Sequence, residues 1–195
     1  MVQTAAARSE QKRAEILRRA AAVFRQKGFH GAGMREIAAG LSMAPGALYY
    51  YFESKDDLLY ACQVLSLKRL LASASEIMAS DMPADERLRA LVYAHLGHIL
   101  DELGGSFAHI EFHTLPADRL REVVSKRDKY ERLVRRVLSE GVDAGIFRRT
   151  DIKLAALTLL GALNWTVVWW KPEGRRNLKA VAEQITDTFL GGLRQ

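Results

Sequence analysis

Apolar residues recur along this chain at helical spacing, and no stretch alternates as a strand does. In residues 9–27, Ile16, Ala20, Val23 and Phe24 form one stripe, which Gly28 ends. Gly33 caps a second, short helix with Met34, Ile37 and Ala38 inward. Pro45 suits the first turn of a third helix, where Leu48 and Phe52, four apart, are core positions. Ser54 precedes Lys55-Asp56-Asp57, which predicts an N-cap and a helix from Asp56 to about Ala79. Pro83 and Asp85 open a helix to about Leu103, and Gly104-Gly105 break it. Residues 106–114 are predicted helical, and Pro116 opens a helix to Gly141. Gly145 and Phe147-Arg148-Arg149 form a connection, and Thr150 or Asp151 caps an apolar helix ending at Trp170. After a turn at 171–174, a last helix over about 177–190 puts Leu178, Val181, Ala182, Ile185, Phe189 and Leu190 on one face. The expected fold is all-α.

Charge adds a direction. The 195 residues carry a net charge of +6, and residues 1–60 hold nine Lys/Arg against six Asp/Glu. An anionic partner is favoured, most of all by the N-terminal part. There the short second and third helices, joined by a tight turn, have the size of a unit that places one helix in the DNA major groove. The expected organisation is a three-helix, helix-turn-helix DNA-binding domain (1–55) followed by a larger helical effector-binding and dimerisation domain (56–195).

Other chemistry is sparse. The single cysteine, Cys62, allows no intrachain disulfide and no multi-thiolate metal site. It suits a reducing cytoplasm, and the polar N-terminus lacks the pattern of a signal peptide. Leu154–Trp170 is apolar except at Thr158, Asn164 and Thr166. It falls short of the roughly 20 residues of a bilayer span, so burial in a core or between subunits is expected, not a membrane. No Gly-rich phosphate loop, nucleophile elbow or paired metal motif occurs; neither an enzyme nor a cofactor is expected. His109 and His113 stand four apart, but Glu111 between them departs from the His-Glu-x-x-His order, and no metal site is expected.

The pattern Leu48-Tyr49-Tyr50-Tyr51-Phe52-x-Ser54-Lys55 closes three helices that also carry Phe24, Gly28-Phe29, Ile37-Ala38, Gly46, Leu58 and Leu59. Over residues 12–60 the chain resembles the tetracycline-repressor (TetR) family of bacterial transcription regulators. Glu140-Gly141, Gly145-x-Phe147-Arg148, Asp151, Gly161, Asn164-Trp165, Trp169-Trp170-Lys171-Pro172-x-Gly174 and Gly191-Gly192-Leu193 resemble a branch that responds to acyl-coenzyme A thioesters. Two positions depart from the family. Gly33 replaces a Thr or Ser whose hydroxyl commonly contacts a phosphate, and Leu41-Ser42 replaces the usual Ala-Gly turn.

The expected DNA-binding residues are Gly33, Arg35, Ala44, Pro45, Gly46, Ala47, Tyr49, Tyr50, Tyr51 and Lys55. Helix three offers no Arg, Asn or Gln for bidentate base reading. Ala44, Pro45 and Ala47 would meet apolar edges such as thymine methyls, while Tyr49, Tyr51 and Lys55 hold phosphates and Arg35 reaches toward a base edge. Tyrosines in such a helix are alternatively core, and Arg8, Lys12 and Arg13 are either a backbone-touching arm or a solvated face. Recognition then rests on phosphates and DNA shape.

A near-palindromic operator calls for two readers, and Leu157, Leu160, Trp169, Val181, Ile185 and Phe189 are the expected homodimer interface. The alternative is that both helices pack within one subunit. His95, His98, Phe107, Phe112, Asn164 and Trp165 are the expected ligand-binding residues, each alternatively ordinary core or surface. Arg148, Arg149, Arg175 and Arg176 are candidates for the phosphates of a coenzyme A. The expected function is a ligand-responsive regulator, a repressor released from double-stranded DNA by a small, mostly apolar effector such as an acyl-CoA. Two alternatives stay open: a regulator answering to a hydrophobic drug or aromatic acid in efflux or catabolism, and a helical binding protein without DNA affinity.

Overall fold

The computed structural model describes residues 5–100, 112–171 and 173–193. Among them there is no strand. The helices are α1 (Ala5–Gly31), α2 (Met34–Ala39), α3 (Pro45–Tyr49), α4 (Lys55–Met78), α5 (Ala84–Leu100), α6 (Ala117–Asp143), α7 (Ile152–Trp169) and α8 (Leu178–Leu193), with a 3₁₀ turn at Phe112–Thr114. The break expected at Gly104-Gly105 and most of the helix expected over 106–114 lie outside the described residues.

Local chemistry sets the boundaries. Gly28 has φ 73° and interrupts α1 where the sequence placed its end. The Ser54 hydroxyl accepts the Asp57 N–H at 3.0 Å, and the Asp57 carboxylate accepts the Glu53 N–H at 3.2 Å, so the start of α4 is closed from both sides. Asp151 accepts the Leu154 N–H at 2.9 Å at the start of α7. Asn177 does the same for Ala180, at 2.9 Å, at the start of α8. After α6, Gly145 takes φ 71°. The Ile146 N–H then reaches the Gly141 carbonyl at 2.9 Å and the Gly145 N–H reaches that of Val142 at 3.1 Å. This pair is a Schellman closure, which needs a left-handed residue at position 145.

The chain divides into two compact units. The first comprises residues 1–66 and 100–123, the second 67–99 and 124–195. Both α4 and α6 contribute residues to each unit.

In the first unit α1 packs on α2 and α2 on α3. Ile16, Ile37, Ala38, Leu48, Phe52, Leu58 and Leu59 are fully buried there. The first turns of α4 meet the first turns of α6 through an Arg119–Asp57 ion pair at 3.2 Å and a hydrogen bond from the Tyr60 hydroxyl to Glu122. Cys62 is buried, with its Sγ 3.8 Å from the Leu17 carbonyl, and burial pushes its thiol up to about 12. It is a packing residue, held neutral far above any reactive range.

In the second unit α7 packs on α8. Arg87 of α5 and Arg136 each meet Glu140 at 2.7 Å, and the hydrogen bond from Arg136 leads in holding that carboxyl below its usual range. Arg148 donates from its backbone to the Leu193 carbonyl at 2.8 Å and from Nε to the Gly192 carbonyl at 2.7 Å. It therefore ties off the last carbonyls of α8.

Candidate functional site

The α2–turn–α3 unit is held from behind by its own apolar residues, and its front is open. Ala44, Pro45, Gly46 and Ala47 are exposed, Tyr50 is 83% exposed and Tyr49 49%. Tyr51 is half-buried, its ring edge-on to that of Tyr50. Arg35, on α2, is exposed. Gly33 takes an extended φ of −114° and caps α2 without a side-chain bond. The turn between the helices sets Ser42 at φ 53°. A left-handed serine is disfavoured by about 1 kcal/mol, so the absence of glycine from this turn carries a local penalty. A five-residue helix does not persist alone in water; Leu48 and Phe52, fully buried, keep α3 in place.

Lys55, expected to hold a phosphate, and Arg13, expected as either an arm or a solvated residue, both work inside this frame. The Lys55 ammonium donates to the Phe29 carbonyl at 2.7 Å and the Ala32 carbonyl at 3.3 Å, over the Phe29 ring. The Arg13 guanidinium donates to the Tyr51 carbonyl at 2.7 Å and lies 4.3 Å from the Phe52 ring centre. Both braces tie the α3 end of the unit back to α1 and the residues that follow it. Lys12 pairs with Glu15 at 2.9 Å, and Lys27 bridges α1 to Glu36 of α2 at 2.6 Å. Sequence spacing gave no sign of the inward role of Arg13 and Lys55, because their partners are backbone carbonyls.

The residues expected to bind a ligand divide. His95 is buried, with Nε2 3.0 Å from the Asn164 Oδ1 and Nδ1 3.3 Å from the Tyr130 hydroxyl. The Asn164 oxygen assigns the proton to Nε2, so Nδ1 accepts from Tyr130. Tyr130 joins the cluster although sequence reasoning passed over it. His98 is half-buried and shares a 2.9 Å hydrogen bond with Ser73. Trp165 is placed elsewhere: 63% exposed, it stands with Leu154, Leu157 and Val168 on the outer face of α7. Phe107 lies outside the described residues, as do His109, Glu111 and the side chain of Phe112. His113 is exposed.

Burial holds the His95 imidazole down at about 4, opposed by its hydrogen bond to Asn164 and aided by the charge of Arg127 and His98. The unfolded chain, with a histidine near 6.5, takes up a proton before the folded one does. Stability is therefore full above about pH 6.5 and declines as pH falls toward 4. This one group is expected to remove about 2 kcal/mol between pH 7 and pH 4.5. Urea titrations across that range check it, and His95→Gln should flatten the slope. An equal slope in both proteins would assign the acid sensitivity to other groups.

The expected dimer residues also divide. Leu157 and Trp169 are 46% and 49% exposed, and Leu160 is half-buried. Ile185 and Phe189 are half-buried and line a groove of about 520 Å³ between α7 and α8, which also takes in Arg148, Asp151, Leu193, Ala162 and Gln184. Val181 is 3% exposed and packs within the chain's own core. Helix α7 has 18 residues with a mean hydropathy of 1.5, and 22% of it is buried. That length and composition also suit a bilayer span, the reading that the sequence disfavoured.

A residue missed by the sequence reading is Gln63, a polar position on the buried face of α4. It is 2% exposed, and its Nε2 has no hydrogen-bond partner among the described residues.

Two regions of the chain match known families. Residues 16–62 match the family of bacterial regulatory proteins called tetR, and residues 81–193 match the tetracyclin repressor-like C-terminal domain. The HTH-type transcriptional repressor KstR2 of Mycobacterium tuberculosis is 28% identical over 189 residues, spanning 93% of this chain and 92% of the repressor. The TetR-family regulator PfmR of Thermus thermophilus superposes with a TM-score of 0.85 at 30% identity, over 92% of this chain and 99% of PfmR. AibR, solved with isovaleryl coenzyme A and operator DNA, superposes with a TM-score of 0.81 at 26% identity, over 94% of this chain and 98% of AibR. With the reader and the helical C-terminal region both matched in order, the protein belongs to the TetR family of bacterial transcriptional regulators.

Proposed function

We propose that this protein is a repressor that binds a near-palindromic operator as a homodimer and is released by an acyl-coenzyme A thioester. What carries the reading is the open front of α2 and α3: an apolar, uncharged helix flanked by exposed tyrosines. Such a face lays Ala44, Pro45, Gly46 and Ala47 against base edges, with Tyr49, Tyr50 and Tyr51 along the sugar-phosphate backbone. Arg35 approaches from α2, and Lys55 adds positive charge behind the reader. Specificity then comes from thymine methyls and groove shape more than from bidentate hydrogen bonds.

The outer stripe of α7, Leu154, Leu157, Trp165 and Val168, is the surface a second copy covers, with Ile185 and Phe189 at its border. Four helices, two from each subunit, form that interface. A thioester is favoured by AibR, whose structure holds isovaleryl coenzyme A. Its effect follows from linkage: an effector that prefers the conformation with mis-spaced readers weakens operator binding by its differential affinity. A coupling of about 3 kcal/mol lowers affinity roughly 150-fold.

Anisotropy titrations on palindromic segments from the flanks of its own gene test the DNA half, at two salt concentrations, with a scrambled duplex as control. Sedimentation tests the dimer, and adding isovaleryl or longer acyl-coenzyme A tests release. Equal affinity for scrambled DNA, or a thioester that binds without changing operator affinity, overturns the proposal.

Gly33→Ser offers a finer check. A Cβ at Gly33 meets nothing within 4 Å, and the extended backbone suits a serine cap. The variant is expected to gain a few tenths of a kcal/mol in stability. Its hydroxyl should raise operator affinity about threefold through a phosphate contact. Unchanged affinity in the same titration places the start of α2 away from the phosphates.

A further inference from the structure

We infer that Gln63 is the polar anchor of the effector site, and that its amide nitrogen donates to a carbonyl oxygen of an otherwise apolar ligand. This rests on the reading of the protein as effector-released. Leu59, Gln63, Leu67, Leu70 and Ala74 lie along the buried face of α4, and all are 5% exposed or less. Every neighbour in that row is apolar. A methionine or leucine would fill such a position without any polar group to satisfy. Gln63 instead buries an amide whose nitrogen has no hydrogen-bond partner among the described residues.

Buried amides in folded proteins nearly always find partners, and one left vacant destabilises the fold that contains it. A lone trapped water is a poor remedy, since it needs two or more polar partners of its own. Along the helix Gln63 has Leu59 and Leu67 one turn away, and the adjacent Cys62 thiol is already turned to the Leu17 carbonyl. The vacant donor therefore calls for an acceptor brought from outside. A thioester or a ketone on a hydrocarbon body has the required chemistry: one strong acceptor and apolar surface around it. The position also has a mechanical meaning. Gln63 is eight residues beyond the start of α4, the helix that begins where the reader ends. A ligand held by this amide acts on the reader's own supporting helix.

Gln63→Met keeps length and volume and removes the donor. Both proteins are melted alone and with isovaleryl coenzyme A, palmitoyl coenzyme A or a steroid ketone, and their operator affinities are measured without ligand. The free Met variant is expected to melt roughly 2–6 °C higher, because it no longer buries an unpaired amide. It is expected to bind operator as the wild type does. It should hold whichever probe stabilises the wild type at least about 10-fold more weakly. The choice among probes identifies whether the carbonyl is a thioester or a ketone. A free variant that melts at or below the wild type shows that the amide already has a partner, and overturns the inference. So does equal probe affinity in the two proteins. If no probe stabilises the wild type, it is the effector class proposed above that fails, while the melting of the free proteins still decides whether Gln63 is a vacant donor.

Discussion

Gly46→Asp is expected to abolish operator binding while leaving the protein folded. Gly46 is the second residue of α3, exposed at the centre of the open face, and a Cβ built there meets no atom within 4 Å. An aspartate in a helix's first turn is favourable to the helix dipole, so the fold has no reason to object. The DNA does. The new carboxylate would enter the phosphate field in place of a hydrogen atom, with no cation on α3 to neutralise it. Like charges brought together at an interface cost several kcal/mol, and a penalty of roughly 3 kcal/mol is an affinity loss of at least about 100-fold. Anisotropy on the cognate duplex and a circular-dichroism melt of the same sample read the two halves of the prediction. Retained affinity in a fully folded variant would remove α3 from the interface.

Gly141→Ala is expected to be the most damaging of the small substitutions, for the opposite reason. The added methyl would stand 2.2 and 2.3 Å from the Phe147 ring and 3.1 Å from the Ala84 Cβ. Phe147 is 1% exposed, and its backbone N–H is bonded to the Gly141 carbonyl at 3.0 Å. The ring cannot retreat without straining the closure that ends α6. Overpacking of this kind costs about 2–3 kcal/mol, which lowers the melting temperature by roughly 4–12 °C in a protein of this size. Thermal and urea melts of the single variant and of Gly141→Ala combined with Phe147→Leu check the mechanism, because the smaller side chain should restore part of the loss. Equal destabilisation of single and double variants would place the cause elsewhere than in the ring.

The legible parts of this molecule were those fixed by short-range chemistry. Ser54, Asp151, Gly28 and Pro45 each announce a helix boundary through a bond or a dihedral angle made within a few residues. The core of the reader was legible too, since Ile37, Ala38, Leu48 and Phe52 repeat at helical spacing and are all fully buried. Long-range pairing was not. His95 and Asn164 are 69 residues apart, and no periodicity announces that one will accept the other's N–H. Trp165 looked like pocket lining because it is aromatic and follows Asn164. One residue is a rotation of about 100° around a helix, enough to turn it from the interior to the outside. Val181, on the apolar face of an amphipathic helix, is turned inward by packing that its spacing alone does not announce.

The braces behind the reader have a consequence for how such a protein changes over evolutionary time. Arg13 grips the carbonyl of residue 51, and Lys55 grips those of residues 29 and 32. A carbonyl is the same group whatever side chain follows it. Position 51 can therefore exchange tyrosine for another residue, and so alter what the face touches, while Arg13 keeps hold of the same oxygen. The scaffold places few demands on the identities of the residues it supports, and new target preferences can be sampled one substitution at a time without re-inventing the frame.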